Sequence, residues 1–199
     1  RGNREIDPEG QFPIPANTNT IFKMFKEAGY NTGAFGKWGL GFPGSEGDPN
    51  RQFIDEFYGY NCQMLAHNYY PSHLWHNDKK IELPENSDGA LVTYSQDLIQ
   101  EETLKFIENQ NSNKPFFLFV PNVLPHAELL VPEDSIIQKF RGKFPETPYK
   151  GVDKGHPDFR KGPYCSQEHP RATFAAMVTR FDMYVGQIVQ KLKDEGLYD

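Results

Sequence analysis

Apolar residues recur at helical spacing in three stretches of the chain. The first is residues 18–30, TNTIFKMFKEAGY, where Ile21, Phe25 and Ala28 share one predicted face and a preceding threonine can cap the helix. A second helix is predicted at residues 95–110, SQDLIQEETLKFIENQ. The clearest pattern is in the last helix, RATFAAMVTRFDMYVGQIVQKLKDEG, whose predicted apolar face consists of Phe174, Met177, Val178, Phe181, Val185, Ile188, Val189 and Leu192.

The segments between these helices have the patterns of strands and loops. A short strand that runs into a glycine-rich turn is predicted at residues 31–41, NTGAFGKWGLG. The apolar run at residues 114–123, KPFFLFVPNV, is typical of a strand buried on both faces. A further candidate strand is FIDEFYGY at residues 53–60, and residues 66–77, AHNYYPSHLWHN, are interpreted as a loop. Residues 125–170 lack periodicity and predict a long functional surface loop.

The alternation of helices and strands predicts an α/β fold in which helices sandwich a mostly parallel sheet. In such sheets the ligand site lies beyond the carboxyl ends of the strands. Lys37 lies at the end of the first predicted strand, and His126 follows the strand at residues 114–123. We therefore expect Lys37 and His126 to share one cleft.

Composition and charge exclude several classes of protein. The 199 residues carry a formal net charge of -6 with both signs mixed, so no basic face predicts a nucleic-acid partner. No apolar run approaches the roughly 20 residues that a membrane-spanning helix needs. Cys62 and Cys165 make neither a metal-binding spacing nor a disulfide framework, although they could pair in an oxidising compartment.

The most informative short motif places one lysine among four glycines. Glycines at positions 33, 36, 39 and 41 let the backbone bend sharply and let another group approach Lys37. With Trp38 as one wall, a partly desolvated ammonium suits a tetrahedral oxyanion such as sulfate or phosphate. The alternative is a tight structural turn that carries a solvated lysine.

Histidines supply the other candidate chemistry. A histidine at position 126, after a buried strand, could protonate a leaving group near neutral pH, although a histidine there can equally be structural. The loop at residues 66–77 could pack in the core, contact sugar or aryl rings, or, with less support from its spacing, bind zinc. Its aromatic and histidine residues are His67, Tyr69, Tyr70, His73, Trp75 and His76.

These motifs together resemble the formylglycine-dependent sulfatases (arylsulfatases) of the alkaline phosphatase superfamily. The family's Gly-Lys-Trp element is similar to GYNTGAFGKWGLG, and its Gly-Phe-Asp-x-Phe-x-Gly element is similar to FIDEFYGY. The strand before its catalytic histidine resembles KPFFLFVPNVLPH. The helix before its Asp-Asn metal-binding strand resembles ATFAAMVTRFDMYVGQIVQKLKDEGLYD, so the resemblance covers nearly the whole chain.

The resemblance implies roles for two residues. Lys37 would bind the oxygens of the sulfate group, and His126 would protonate the ester oxygen as a general acid. It also implies a formylglycine nucleophile and a divalent cation, usually calcium, with ligands outside this chain. The expected partner is a sulfated small molecule or carbohydrate, and the expected location is outside the cytoplasm: periplasmic, cell-surface, extracellular or lysosomal.

Three departures from the family pattern are visible. Many members have a histidine after Gly-Lys-Trp, where this chain has Gly39, and Gln63 or His67 in the following loop are the candidates for the missing donor. The proline expected two positions after the catalytic histidine is Glu128 here. The Cys/Ser-x-Pro-x-Arg motif that becomes formylglycine does not occur in the chain.

The sequence is therefore expected to be the central part of a sulfatase catalytic domain, residues 1–199 of an incomplete N-terminal domain with both ends truncated. The parent enzyme is expected to be a sulfuric ester hydrolase, and the fragment to be inactive alone. One alternative is a phosphodiesterase or phosphonate hydrolase of the same superfamily, because its substrate anion is also tetrahedral. Another is a non-catalytic carbohydrate-binding homologue, which fits the missing motifs.

Overall fold

A five-stranded sheet lies at the centre of the computed structural model, which describes residues 9–198. The strands are β1 Asn31–Lys37, β2 Glu56–Tyr60, β3 His73–His76, β4 Lys79–Glu82 and β5 Phe116–Phe119. The α-helices are α1 Ile21–Glu27, α2 Ser95–Glu108, α3 Ser135–Gln138 and α4 Pro170–Asp194.

The sheet order is β4-β3-β2-β1-β5. The strand β1, next to the edge, is parallel to both β2 and β5, whereas β3 pairs antiparallel with β2 and with β4. The α/β prediction is confirmed, but the sheet is mixed. The interpretation of residues 66–77 as a loop was wrong for its last part, because β3 forms there and turns into β4 through Asn77, whose φ is 52°.

Side chains of β1 and β2 alternate between two cores, as the period of a strand requires. On one face, Phe35 packs in a large cluster with Phe106 of α2 and Met177 of α4. On the other face, Ala34 lies in a smaller cluster with Phe22 of α1. The sheet is therefore covered by helices on both sides, which holds the ends of its strands in fixed positions.

The predicted apolar face of α4 is largely uncovered within the described residues. Met177 is buried, but four members of that face are exposed by about a third to a half, namely Phe174, Val178, Phe181 and Val185. The helix instead packs through a neighbouring face that carries Ala172, Ala176, Arg180 and Tyr184. Arg180 pairs with Asp97 of α2 at 3.2 Å and with Asp134, so buried polar groups anchor α4.

Two further burial predictions differ from the structure. The strand predicted to be buried on both faces, β5, is an edge strand of the described sheet, and Phe119 is 43% exposed. Helix α1 buries Phe22, whereas Ile21 from its predicted face is 53% exposed. The predicted threonine cap is confirmed, because the Thr20 hydroxyl oxygen accepts a hydrogen bond from the Lys23 N–H. Among the described helices, none has the length and apolar character that crossing a bilayer demands.

Candidate functional site

Two neighbouring strands carry Lys37 and His126 to one edge of the sheet. Lys37 is the last residue of β1, and its backbone N–H donates to the carbonyl oxygen of Pro121, 3.0 Å away. Pro121 lies on the segment that leads from β5 to His126. Gly36 permits this approach, because a Cβ at its φ of 137° would lie 2.3 Å from the Pro121 oxygen. The glycines of the motif thus bring the lysine strand against the histidine segment.

The pKa values of two groups at this site are lowered. Lys37 is partly buried, and burial lowers the pKa of its ammonium group. The pKa of His126 is also lowered, first by burial and then by the positive charges of Lys37 and His67. Three cationic or potentially cationic groups therefore converge, and an anion bound among them would relieve their repulsion. The structure brings the two predicted catalytic residues together, and their catalytic roles stay predictions.

His67 belongs to the same group of side chains. It ends a 3₁₀ turn at Leu65–His67, and its ring stacks on the ring of His126 with 5.3 Å between centroids. Its Nδ1 lies 2.9 Å from the carbonyl oxygen of Gly162. Because a carbonyl only accepts hydrogen bonds, Nδ1 carries the proton. In the neutral ring, Nε2 is then left as an acceptor.

Tyr164 is a member of the site that the sequence did not indicate. Its ring lies 5.1 Å from the ring of His67 and 5.7 Å from the ring of His126, measured between centroids. The residue comes from the long Pro- and Gly-rich loop, in which no local pattern distinguishes it from other tyrosines. The loop thus reaches the two histidines at one point, and its functional role stays a prediction.

The position where many relatives have a histidine has an unusual backbone. Gly39 has a φ of 73°, in the left-handed region that favours glycine, so a histidine there would be strained. A Cβ on Gly39 would contact the Cβ of Gln63 at 3.8 Å and Oε1 of Gln11 at 3.9 Å. Gln63 is exposed, and its backbone N–H donates to that Gln11 oxygen over 3.2 Å. Gln63 therefore lies where the missing histidine would point, while Gln11 supports it.

Asn61 is a second residue that the sequence did not indicate. It follows β2 directly, its exposure is 0%, and neither polar atom of its amide has a hydrogen-bond partner among residues 9–198. Its backbone carbonyl accepts from the Gly39 N–H at 2.9 Å, so it lies beside the lysine turn. Unpaired buried amides are rare in native proteins. An asparagine after a strand usually indicates only a turn, and this explains why the residue was missed.

Trp38 has the contacts of a core residue. It is 8% exposed, its indole N–H donates to the Gly47 carbonyl oxygen at 2.7 Å, and its ring meets Phe22 edge-on at 5.6 Å. The predicted wall beside Lys37 is thus a buried one, and the substrate-binding role of Trp38 stays a prediction. The aromatic segment at residues 66–77 likewise packs largely in the core, since Tyr69 and Tyr70 are buried there.

The described residues do not fit a metal ion. No group of three or more His, Cys, Asp or Glu side chains within residues 9–198 could hold one. The side chains that converge at the site are basic, which suits an anion rather than a cation. Cys165 lies beside Glu128, whereas the Sγ of the buried Cys62 donates to the carbonyl oxygen of Gly41 over 3.8 Å.

The fold and the site define an α/β protein with a cluster of basic side chains, Lys37, His67 and His126, beyond the ends of its parallel strands. The sulfatase family model matches residues 3–199, and the chain belongs to the sulfatase family. Arylsulfatase J from Mus musculus is 27% identical over 126 residues, which cover 60% of this chain and 21% of that protein. N-acetylglucosamine-6-O-sulfatase from Bacteroides thetaiotaomicron is 29% identical over 107 residues, 54% of this chain and 16% of that protein.

A solved structure gives the same fold. The crystal structures of Ps i-CgsB, one of them in complex with k-i-k-neocarrahexaose, superpose with a TM-score of 0.64 and 25% identity. The match covers 96% of this chain and 42% of that chain. The chain therefore spans less than half of this structural relative, and 21% and 16% of the two curated relatives named above.

Proposed function

We propose that this chain is the central part of the catalytic domain of a sulfuric ester hydrolase, and that the whole protein cleaves sulfate monoesters. The observation that carries the proposal is the position of His126, partly buried in the positive field of Lys37 and His67 at the strand ends. Family membership supports the same reaction class.

Lys37 is suited to the sulfate end of the substrate. Its partly desolvated ammonium, fixed at the end of β1, can donate hydrogen bonds to the sulfate oxygens without reorganising during the reaction. A lysine also tolerates either of two tetrahedral anions, because it acts as a point charge. The chain belongs to the sulfatase family, so sulfate is the anion that we assign.

His126 is suited to the alcohol end. When the bond between sulfur and the ester oxygen breaks, its electron pair stays on that oxygen, and a proton from the imidazolium of His126 converts it into an alcohol. Burial, and then the charges of Lys37 and His67, lower the pKa of the His126 imidazole in the free protein. A bound sulfate ester offsets those charges, so binding of the substrate favours the protonated, acidic form.

The remaining chemistry lies outside the described residues. The resemblance implies a formylglycine nucleophile and a calcium ion, and neither has its residues within 9–198. We therefore propose that the rest of the protein supplies both, and that the 199-residue chain alone does not turn over.

We further propose a sulfated carbohydrate as substrate and a location outside the cytoplasm. The structural relative Ps i-CgsB has been solved with an oligosaccharide, and one curated relative is an N-acetylglucosamine-6-O-sulfatase. The rings of Tyr164 and His67 beside the general acid offer flat apolar surface, which sugar rings prefer.

The test is to measure sulfate release from sulfate esters, and 4-nitrophenol release from a phosphodiester, by the longest protein product that contains this chain. We expect release of sulfate from 4-nitrophenyl sulfate and from N-acetylglucosamine 6-sulfate, and much slower hydrolysis of bis(4-nitrophenyl) phosphate. Faster cleavage of the phosphodiester would favour the phosphodiesterase alternative. Sugar binding without hydrolysis of any of these esters would favour the non-catalytic homologue.

A further inference from the structure

Residues 162–165, here called the tyrosine wall, lie against the two histidines of the site. The Gly162 carbonyl accepts from His67, and the Tyr164 ring contacts both His67 and His126. Tyr164 retains partial exposure, so the wall borders the site rather than sealing it. Nothing in the local sequence of this glycine- and proline-rich stretch fixes its course, and long-range contacts must hold it there.

Glu128 supplies one of these contacts. It is 2% exposed, and its Oε2 accepts a hydrogen bond from the Cys165 N–H at 3.1 Å. Burial raises the pKa of Glu128, while the hydrogen bonds from the backbone and thiol of Cys165 oppose that rise. A buried carboxyl is costly unless it is hydrogen-bonded, so this contact strongly favours one position of the wall.

A second set of bonds fixes the same segment. The Tyr164 carbonyl accepts from the Val152 N–H at 2.9 Å, and the Gly151 N–H donates to the Ser166 hydroxyl at 3.0 Å. These bonds link two parts of the loop to each other. Glu128 ties them to the turn that carries His126, because it follows that histidine by two positions, and the Gln167 side chain adds a hydrogen bond to the Leu129 carbonyl oxygen at 2.7 Å.

We propose that Glu128 is a positioning residue, which fixes Tyr164 beside His67 and His126 so that the alcohol part of the sulfate ester packs against the tyrosine ring. The inference rests on the proposed sulfatase function and extends it to the sugar. It also explains why this chain has Glu128 where the family pattern has a proline. A proline side chain could not accept a hydrogen bond from the Cys165 N–H, and so could not anchor the tyrosine wall.

The contacts imply an effect on substrate binding more than on the chemical step. The Tyr164 ring contacts the ring of His126 from the loop, whereas Lys37, the residue assigned to the sulfate group, lies at the end of β1. Loss of the tyrosine ring should therefore weaken binding of the sugar and leave the proposed contacts of Lys37 with the sulfate group in place.

The experiment compares Tyr164→Ala, Glu128→Ala, Glu128→Gln and the double variant Tyr164→Ala/Glu128→Ala in the longest protein product. For N-acetylglucosamine 6-sulfate we expect both alanine variants to raise KM about tenfold with kcat changed less than about threefold. Glu128→Gln keeps an acceptor oxygen and should stay within about threefold of wild type. The double variant should raise KM no more than Tyr164→Ala alone, because both changes remove the same contact of the tyrosine ring. Glu101→Ala, on the exposed side of α2, serves as the matched control.

Hydrogen exchange of the Cys165 amide gives a second readout that does not depend on activity. We expect faster exchange in Glu128→Ala and near-wild-type exchange in Glu128→Gln. Three results would each overturn the inference. They are a wild-type KM in Tyr164→Ala, equal rises of KM in Glu128→Gln and Glu128→Ala, and additive rises of KM in the double variant. These outcomes require an active wild type, whereas a wild type that releases no sulfate would refute the proposed function itself, and the inference with it.

Discussion

At the residue scale, the proposed function depends on how closely a lysine and two histidines are held together. The hydrogen bond from the Lys37 backbone N–H to the Pro121 carbonyl oxygen joins the end of β1 to the segment of His126. His67 reaches the same place from a different turn and stacks on His126. Lys37 and His67 both lower the pKa of His126, and this electrostatic coupling is the basis of the anion binding that we propose.

The pKa of His126 tests this electrostatic coupling. We expect it to lie below the ordinary 6.5 and to rise in Lys37→Met, because the variant removes the nearest fixed positive charge. Since the folded pKa is the lower one, stability should fall as the pH drops from 6.5 through the folded pKa. Histidine-selective NMR titration measures the pKa directly. Lys80→Met, on the edge strand β4, is the control and should leave the titration unchanged; an unshifted His126 in Lys37→Met would contradict the coupling.

At the element scale, local patterns predicted the central helices and strands well. The end of β1 and the segment after β5 were located from glycine, proline and apolar runs, and this was enough to find Lys37 and His126. The hairpin of β3 and β4 was not predicted, although Asn77 and Asp78 are typical of a two-residue turn. The dense aromatic and histidine residues before this turn were interpreted as a loop instead.

Long-range contacts set the limit of what the sequence could predict. The apolar periodicity of α4 does not show which face is covered, and the buried face carries Arg180 and small residues instead. His67 and Gly162 are 95 positions apart, and Glu128 and Cys165 are 37 apart. Such pairs leave no local pattern, so the tyrosine wall became visible only in the structure.

The backbone of the lysine turn offers a prediction at the same scale. Gly39→Ala places a side chain at a φ of 73° and should destabilise the fold by about 1–2 kcal/mol. Gly186→Ala is the matched control: Gly186 lies within α4, and an added Cβ meets nothing within 4 Å. It should stabilise the helix by about 1 kcal/mol. Denaturant unfolding of both variants measures the difference, and equal effects would argue against a strained turn.

At the scale of the whole molecule, several apolar surfaces are uncovered within the described residues. They include one face of α4, the edge strand β5, and a cavity of about 510 Å³ beside α1 that is lined by Ile21, Met24, Phe25, Ala28 and Tyr30. Exposed apolar patches of this kind are typical of interaction surfaces. They agree with the proposal that the chain is the central part of a larger catalytic domain.

The division of labour between the strand ends is the central claim for the whole protein. Lys37 is assigned to the sulfate group, which every substrate shares, whereas His126 is assigned to the alcohol, which differs between substrates. The two residues should therefore respond differently when the leaving group is changed.

The most direct test is kcat/KM for the whole protein on 4-nitrophenyl sulfate and on a sugar sulfate, with Lys37→Ala, His126→Ala and the control Lys80→Ala. Lys37→Ala should lower kcat/KM at least about a hundredfold for both substrates. His126→Ala should lower kcat/KM little for 4-nitrophenyl sulfate, whose leaving group is activated, and about a hundredfold or more for the sugar sulfate. Near-wild-type activity of Lys37→Ala, or equal losses of His126→Ala on the two esters, would contradict the assignment.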